Sequence, residues 1–348
     1  MFEPIITSRL ILRRPTVSDL DALVERRNDP AVAQYQDWLL PFEREPACDL
    51  LTALAAMDGP TPGRWWMVTV VDRQRPSAEP LGDLGVYISE DGRVAEIGYT
   101  FAVVKHGHGY ATEAVEALID HLFDHVGVLR ITASLHPDNV ASARLLERTG
   151  FDFEGHSRLS HWRGEGDDAD NSDAWYYGLN KSDHHNWRAR PSGAPQLVEL
   201  VEITADNQNE ISKLVTHKSQ ERFVSPVLES YGDALFPELY NDVPVVPWLR
   251  AIEADGEPVG FVMVAWRTEH HPNPYLWRLL IDRWHQHRGI GSWALDLVEE
   301  ACRKNGDQAI EVSWTEGPGS PAAFYEARGY ARTGRLVEGE TEAVKPLI

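Results

Sequence analysis

Two stretches of the chain carry the same pattern of polar and apolar positions. In "KHGHGYATEAVEAL", residues 105–118, a basic loop ends at Gly109 and apolar residues then recur every three to four positions. In "HQHRGIGSWALDLV", residues 285–298, the same pattern follows Gly289. That spacing predicts an amphipathic helix, and an apolar run precedes each loop. The sequence therefore predicts a strand–loop–helix unit twice.

The flanking pattern predicts that the order of elements repeats as well. In the first half we predict the strands "RLILRRP", "RWWMVTVVD", "GDLGVYIS", "AEIGYTFAVV", "RITASL", "FDFEG" and "WYYGL", and the further helices "TVSDLDALVERRND" and "NVASARLLERTG". In the second half we predict the strands "QLVELVEIT", "YLWRLLID", "AIEVSW" and "YARTGRLVE", a hairpin turning at Asp255-Gly256, and the helices "DNQNEISKLVT" and "SPAAFYEARG". The repeat period is a whole domain, so duplication or fusion of two related domains explains it.

A polar stretch with two prolines and no periodicity, "SDHHNWRARPSGAPQ" at residues 182–196, separates the two halves. The 348 residues are also more than one core usually serves. We predict a first domain at residues 1–185, a linker at 186–196 and a second domain at 197–348. Neither half alternates strand and helix regularly, so we expect an α/β fold in which each domain has a mixed, mostly antiparallel sheet flanked by helices.

Composition narrows the classes of partner. The formal net charge of -21 disfavours nucleic acid and anionic membranes and favours cationic partners. Two distant cysteines, Cys48 and Cys302, fit neither a disulfide framework nor a zinc site. The sequence has no signal-peptide core at its N-terminus and no apolar run of membrane-spanning length. We expect a cytoplasmic protein without a metal, either a monomer with an internal pseudo-dimer or a homodimer.

The two glycine-containing loops indicate an anionic ligand. Glycine allows backbone N–H groups to approach a ligand closely, and the start of a helix favours a phosphate. The local basic residues agree with this interpretation: they are Lys105, His106, His108, Arg283, His285, His287 and Arg288. A tight turn with solvated basic residues is the alternative for either loop alone. Neither loop has the residues of a Walker loop or of a dinucleotide-binding fingerprint.

At this point the sequence resembles the GNAT acyltransferase superfamily. The segment from Gln286 to Gly291 matches its Q/R-x-x-G-x-G/A signature, and the segment from His106 to Ala111 has the same spacing with His in the Gln/Arg place. The resemblance implies acetyl-CoA as co-substrate, its pyrophosphate at each loop and its pantetheine arm along the preceding strand. The implied cofactor-binding residues are Phe101, His106, Gly107, His108, Gly109, Tyr110, Ala111, Thr112, Asn139, Leu279, Ile281, Gln286, His287, Arg288, Gly289, Ile290, Gly291 and Ser292.

Longer patterns resemble two branches of that family. The first half is similar to ribosomal-protein N-terminal acetyltransferases through "TSRLILRRPTVSDL", "AEIGYTF" and "NVASARLLERTGFDFEG". The second half is similar to bacterial diamine and spermidine acetyltransferases through "RFVSPVLESYGDALF" and "SPAAFYEARGY". The resemblance implies an N-acetyltransferase that acts on a primary amine of a small cationic molecule, such as a polyamine or amino sugar, with the second half as the main catalyst. Two alternatives stay open: one half is degenerate, or the protein is an acyl-CoA-binding sensor without turnover.

The resemblance also assigns catalytic roles. Tyr325, four residues before Gly329, would be the general acid for the leaving thiolate, since a phenol can donate a proton there. The alternative for Tyr325 is an aromatic that packs on the sheet. Leu146 stands at the matching place in the first half, so we expect no phenol there. By resemblance, Asn139 would touch the pantetheine arm and Ser142 would lie near the sulfur; the alternative is a helix cap and an exposed first-turn residue.

A base that deprotonates the acceptor is harder to identify. Glu96, at the edge of "AEIGY", is the candidate in the first half, and a solvated strand-edge carboxylate is its alternative. The second half has Leu276 and Trp277 around the matching place, so its base is not identified. Candidates to hold a cationic amine are Glu221, Glu229, Glu238 and Asp242, and for any one of them the sequence favours the alternative of surface solvation. The acidic loop at Asp167 and Asp168 and the paired histidines complete no metal site.

Overall fold

The computed structural model describes residues 2–163, 170–237, 239–240, 242–269 and 271–347. Asp167, Asp168 and Glu238, singled out above, lie outside the described residues. The chain divides into two compact units, Met1–Arg188 and Ala189–Ile348. Each unit holds one large sheet with helices packed against it, which confirms the predicted α/β fold class of two tandem domains.

The first unit is built on an eight-stranded sheet in the order β1-β2-β3-β4-β5-β6-β8-β7. Its strands are β1 (Ile5–Ile6), β2 (Leu10–Arg13), β3 (Trp65–Asp72), β4 (Gly82–Ile88), β5 (Val94–Phe101), β6 (Arg130–Leu135), β7 (Asp152–Arg163) and β8 (Asp170–Asn180). Its helices are α1 (Leu20–Asn28), α2 (Pro30–Ala33), α3 (Arg44–Ala56), α4 (Tyr110–His121), α5 (Val140–Arg148) and α6 (Lys181–Ala189). Neighbouring strands are antiparallel except β5 and β6, which are parallel.

The helix predicted after the first loop forms as α4, and its apolar face explains why. Ala114, Val115, Leu118 and Ile119 fall on one side of the helix and are fully buried in the core of the first unit. Each large apolar side chain buried in this way stabilises the fold by about 1.5–3 kcal/mol. Burial of this stripe fixes the helix on the sheet, and with it the position of the loop that precedes it.

The segment expected to be a linker is partly helical. Helix α6 occupies Lys181–Ala189, and its single buried residue is Trp187. The Trp187 ring packs against Gly150, where an added Cβ would meet the ring at 2.6 Å, and its Nε1 donates a hydrogen bond to the Arg148 carbonyl at 3.3 Å. A helix with a single buried apolar residue has no apolar periodicity, so the sequence pattern did not reveal it.

The second unit is built on a seven-stranded sheet in the order β16-β17-β15-β14-β13-β12-β9. Its strands, together with the separate short pair β10 and β11, are β9 (Val198–Glu202), β10 (Leu239–Tyr240), β11 (Val243–Pro244), β12 (Val246–Ala254), β13 (Glu257–Trp266), β14 (Tyr275–Ile281), β15 (Ala309–Trp314), β16 (Ala331–Val337) and β17 (Glu340–Pro346). Its helices are α7 (Gln208–Ile211), α8 (Val227–Leu235), α9 (Ile290–Lys304) and α10 (Ala322–Ala327). The parallel pair here is β14 and β15.

Two details of the second unit test the sequence pattern. Asp255 and Gly256 adopt φ of 54° and 83°, the left-handed pair that a tight hairpin between β12 and β13 requires, so the predicted turn is present. The last predicted strand, in contrast, is followed by β17, which the pattern did not predict. Strand β17 inserts between β16 and β15, because the chain turns back at residues 338–339 and pairs along both neighbours.

Candidate functional site

In both units the two parallel strands separate shortly after they begin to pair. Strand β5 pairs with β6 only over Val94–Glu96, and in the second unit only Tyr275 and Leu276 of β14 pair with β15. Within the described ladders, the rest of β5 and β14 has no strand partner on that side. Each sheet is therefore open at the end of the strand that leads into a glycine loop, and a cavity occupies the opening.

The cavity of the first unit has a volume of about 630 Å³ and collects most of the predicted residues of that half. Those that line it are Phe101, His106, Gly107, Gly109, Tyr110, Ala111, Thr112, Asn139 and Ser142. They come from the end of β5, the loop, the start of α4 and the start of α5. These segments lie up to 41 residues apart in the chain, so the sheet and helix packing brings them together.

The cavity of the second unit has a volume of about 470 Å³ and collects the corresponding set. The predicted residues that line it are Leu279, Ile281, Gln286, His287, Gly289, Ile290, Gly291, Ser292 and Tyr325. They come from the end of β14, the loop, the start of α9 and helix α10. The same type of opening therefore forms from the same succession of elements in both units.

The two loops share a backbone conformation. Gly107 and Gly109 have φ of 77° and 75°, and His287 and Gly289 have φ of 62° and 79°. Each loop thus has a left-handed residue two positions before the helix cap: it is Gly107 in the first loop and His287 in the second. Gly109 and Gly289 are the residues that cap α4 and α9. Glycine suits the cap because other residues adopt a left-handed backbone only with strain.

Gln286 and His106 occupy the Gln/Arg position of the loop motif, and each anchors its loop. Gln286 donates a hydrogen bond from Nε2 to the Ile281 carbonyl at 3.0 Å, and His106 Nε2 lies 3.0 Å from the Phe101 carbonyl. Both contacts tie the loop to the end of the preceding strand. The histidine of the first loop therefore has the same structural role as the glutamine of the second loop.

Three predicted site residues do not line the cavities. Arg288 is buried: its Nε donates to the Gly193 carbonyl at 2.9 Å, its Nη1 lies 3.0 Å from His285 Nδ1, and the residue does not line the cavity. The His108 side chain stays outside the cavity wall, although its carbonyl accepts a hydrogen bond from Arg9 at 2.8 Å. Glu96 lies in the short paired part of β5, away from the cavity wall.

Glu96 nevertheless has an unusual environment. Burial raises the pKa of its carboxyl, the negative charge of Asp37 raises it further, and a hydrogen bond from Ser134 partly opposes both effects. A carboxyl with a raised pKa beside a second carboxyl favours a positively charged neighbour. In the second unit, Glu221 pairs with Lys218, and Glu229 is exposed.

Tyr325 is buried on α10 with its ring stacked on Trp314 at a centroid distance of 5.7 Å. The Tyr325 and Tyr330 rings also meet edge to face, with their centroids 5.5 Å apart. The ring of Tyr325 therefore packs on its aromatic neighbours, as the alternative to a catalytic role describes. The residue also lines the cavity. Burial raises the pKa of Tyr325, and the proximity of Tyr275 adds to this. The Tyr325 phenol therefore stays protonated at ordinary pH.

The first unit has a phenol that the sequence pattern did not reveal. Tyr99, on β5, places its hydroxyl 2.7 Å from Ser142 Oγ and 3.2 Å from the Ser142 carbonyl, and both residues line the cavity. The place that matches Tyr325 holds Leu146, a core residue, as expected, and Tyr99 lines the cavity from a strand instead. One signal was available, because Tyr99 and Phe101 are two residues apart and so share a face of β5.

The start of α5 is held by a cap. The Asn139 side chain accepts a hydrogen bond from the Ser142 backbone N–H at 3.2 Å, so the capping interpretation of Asn139 is correct, and the residue lines the cavity as well. In the second unit, the ladder between β13 and β14 skips Trp277, which lines the other cavity. A bulge of this kind takes backbone groups out of the ladder and turns them toward a site.

Over the part of the chain that the structure describes, the histidines, cysteines and acidic residues form no group of three that could hold a metal ion. Among those same residues, no helix combines the length and the apolar character that crossing a membrane requires.

Comparisons with known proteins agree with the tandem arrangement. Residues 9–152 match the family model described as an acetyltransferase (GNAT) domain, and residues 213–330 match the acetyltransferase (GNAT) family. The uncharacterized N-acetyltransferase p20 of Bacillus licheniformis is 32% identical over 156 residues, which is 44% of this chain and 84% of that protein. YoaA of Bacillus subtilis is 31% identical over the same length, covering 44% of this chain and 86% of that protein.

Solved structures to which the chain is similar include a GNAT-family acetyltransferase from Bacillus anthracis, with a TM-score of 0.44 and 22% identity over 52% of this chain and 99% of that chain. They also include RimL, a ribosomal-protein acetyltransferase in complex with coenzyme A, with a TM-score of 0.44 and 22% identity over 51% of this chain and 98% of that chain.

Proposed function

The chain belongs to the GNAT acetyltransferase family, with two such domains in tandem, and we propose that it transfers the acetyl group of acetyl-CoA to a primary amine of a small cationic molecule, with the second unit as the main catalyst. The observation that carries the proposal is the second cavity, where the loop, the open edge of β14 and the buried phenol of Tyr325 meet. Acyl-CoA-dependent acetyl transfer follows from the family; the acceptor and the division of labour are proposals.

In this proposal the pyrophosphate of acetyl-CoA lies at the start of α9, where the backbone N–H groups and the helix dipole favour negative charge. The pantetheine arm follows β14 beyond Leu276, where the strand lacks a parallel partner. An extended chain bearing amides suits such an edge because a strand edge offers unpaired N–H and C=O groups. The thioester then reaches the part of the cavity that Tyr325 lines.

The reaction needs a neutral amine that attacks the thioester carbonyl, and donors for the negative charge that develops. Collapse of the tetrahedral intermediate forms the amide, whose nitrogen releases one proton to solvent, and breaks the carbon–sulfur bond, and the electron pair stays on sulfur. Tyr325 supplies the proton to that sulfur and solvent returns one to the phenol. The raised pKa of Tyr325 keeps the phenol protonated for this role.

Charge supports a cationic acceptor. The chain carries 54 acidic and 33 basic residues, so a positively charged amine is attracted toward it. In the first unit, burial and then the negative charge of Asp37 raise the pKa of the Glu96 carboxyl, and a cation near Glu96 would be favoured for that reason. A primary amine is protonated in water, so the acidic protein attracts it, and it can attack the thioester once it has lost a proton in the cavity.

The test is a thiol-release assay with the full chain, acetyl-CoA and a panel of acceptors: spermidine, putrescine, glucosamine and a peptide with a free N-terminus. We expect turnover with a small cationic amine and little with the peptide. Turnover with the peptide alone would refute the acceptor class. Binding of acetyl-CoA without turnover of any acceptor would refute the enzyme proposal and leave the sensor alternative.

A further inference from the structure

We propose that Arg278 binds a carboxylate of the acceptor in the second unit, so that the acceptor is an amine that also carries a carboxylate. L-Ornithine and L-lysine belong to this class: each is cationic overall at neutral pH and has a primary amine on its side chain. The inference rests on the proposed function, because it names the acceptor class for the same cavity. It narrows that proposal from small cationic amines in general to those that bear an anionic group.

The charge of the second cavity carries the inference. Arg278 lines this cavity, and among the described residues that line it there is no aspartate or glutamate. A diamine without a carboxylate would therefore meet a cation there and no acidic side chain to hold it. A guanidinium attracts an anionic group instead, and its planar fork of N–H groups matches the two oxygens of a carboxylate.

The protein itself uses the Arg278 guanidinium incompletely. Its Nη1 donates to the Trp277 carbonyl at 2.9 Å, and its Nη2 lies 3.4 Å from Asp233 Oδ2, longer than the roughly 2.7–2.9 Å of a strong charge-assisted bond. Its Nε is buried and has no hydrogen-bond partner in the part of the chain that the structure describes. Each terminal nitrogen keeps one further N–H group, because a guanidinium has five in all. A side chain that is only 22% exposed and so loosely paired favours an anionic ligand.

A bulge in β14 decides which way Arg278 faces. Consecutive residues of a strand normally point to opposite faces, but the ladder between β13 and β14 skips Trp277. Trp277 packs in the core cluster under α8, and Arg278 reaches Asp233 on α8 itself, with its Cζ 5.6 Å from the centre of the Trp277 ring. Leu279 and Ile281, which would follow the pantetheine arm, pack in the other core cluster. Arg278 therefore lies on the face of the strand opposite to the proposed path of the cofactor.

The first unit has no arginine at the matching place. Phe101 and Ile281 are the last residues of β5 and β14, and the residues three positions earlier are Gly98 and Arg278. A Cβ added at Gly98 would meet no atom within 4 Å, so the first unit leaves this place open. A residue that held acetyl-CoA would be expected in both units, since both have the glycine loop. Arg278 also lies about 10 Å back along the strand from that loop, at roughly 3.3 Å per residue, so it is placed for the acceptor and not for the pyrophosphate.

The experiment compares two pairs of acceptors that differ only in the carboxylate: L-ornithine with putrescine, and L-lysine with cadaverine. It measures thiol release by the full chain with acetyl-CoA, with Gly109→Asp in all variants to block the loop of the first unit. With Arg278 present, we expect kcat/KM to be about 10–100-fold higher for the amino acid of each pair, because hydrogen bonds to a charged group are worth about that much. In Arg278→Gln this ratio should fall to near one, mainly through a higher KM for the amino acid.

Two further variants separate this role from a structural one. Arg278→Lys keeps the charge and loses the planar fork, so its ratio should lie between those of Arg278 and Arg278→Gln. Arg250→Gln is the matched control. Arg250 lies on β12, donates from Nη1 to the Leu249 carbonyl at 2.7 Å and stacks on Trp248 with its Cζ 4.6 Å from the ring centre, but it does not line the cavity. This control should leave the ratio unchanged.

The outcomes are distinct from those of the function test. A ratio near one with Arg278 present overturns the inference, and turnover of the diamines then leaves the proposed function intact. An equal loss with amino acid and diamine in folded Arg278→Gln, or a raised KM for acetyl-CoA, also overturns it, since Arg278 would then serve the fold or the cofactor.

A binding measurement decides the inference if no amine is acetylated, in which case the proposed function is at fault. L-Ornithine is titrated by calorimetry into the same protein saturated with coenzyme A. Binding that Arg278→Gln abolishes and Arg250→Gln retains supports the carboxylate site. Absence of binding, or binding that Arg278→Gln does not weaken, overturns it.

Discussion

Replacing Tyr325 with phenylalanine tests the role of the second unit most directly. The substitution removes one hydroxyl and keeps the ring, so the stack on Trp314 at 5.7 Å and the contact with Tyr330 are retained. No hydrogen bond of the Tyr325 hydroxyl occurs among the described residues, so the folded state loses no bond. We therefore expect the unfolding free energy to change by less than about 0.5 kcal/mol.

The expected effect on turnover is much larger. General acid catalysis typically contributes about 10²–10⁴-fold, which corresponds to about 3–5 kcal/mol at 1.36 kcal/mol per tenfold. The loss should appear in kcat and leave the KM for acetyl-CoA nearly unchanged, since the proton is needed mainly in the transition state. Because burial raises the pKa of Tyr325 above its ordinary value of about 10, its own ionisation should not lower kcat of the wild type below that pH.

The assay is steady-state thiol release by the full chain, with Gly109→Asp in all variants to block the loop of the first unit. Tyr330→Phe is the matched control: it alters a buried phenol in the same aromatic cluster, bonded to Glu299 at 3.4 Å and not lining the cavity. This control should lose stability without losing kcat. A folded Tyr325→Phe protein with normal kcat would refute the reasoning and leave solvent as the proton source.

Three further predictions follow from single contacts. Gly289→Asp should weaken acetyl-CoA binding to the second unit about 10–100-fold in calorimetry, because a carboxylate repels the pyrophosphate. Gly256→Asp is the control: it places the same side chain in the hairpin turn, at a glycine of similar φ with equally open surroundings, and should leave binding unchanged. Trp187→Ala should lower the unfolding free energy of the first unit by about 3–5 kcal/mol, measured by urea denaturation. An unchanged midpoint of the urea transition would show that Trp187 does not anchor α6. Burial raises the pKa of Glu113, but hydrogen bonds from Thr7 and Arg9 outweigh it and lower the pKa to about 2. The stability that the ionised carboxylate contributes is therefore present above about pH 4.5 and is lost as the pH falls toward 2. Glu113→Gln should be less stable than wild type at about pH 6 and equal to it near pH 2.

Local patterns were enough to predict the two loops and their helices. The cap glycines, Gly109 and Gly289, and the apolar stripe of α4 are encoded by neighbouring residues, so a short window of sequence contains the information. The hairpin at Asp255-Gly256 was predictable for the same reason, since two left-handed residues favour one turn type. These elements were sufficient to identify the family and the mixed, mostly antiparallel fold of each half.

Other features depended on contacts between distant residues, and only the tertiary structure decided them. Tyr99 and Ser142 are 43 residues apart and meet because β5 and α5 pack at one opening of the sheet. Arg288, basic and inside the loop motif, was predicted to bind the cofactor with the rest of the loop, but its side chain donates to the Gly193 carbonyl and does not line the cavity. A sequence pattern shows which side chains an element presents on each face; the packing of elements decides which of those faces meet, and therefore which hydroxyls and charges share a cavity.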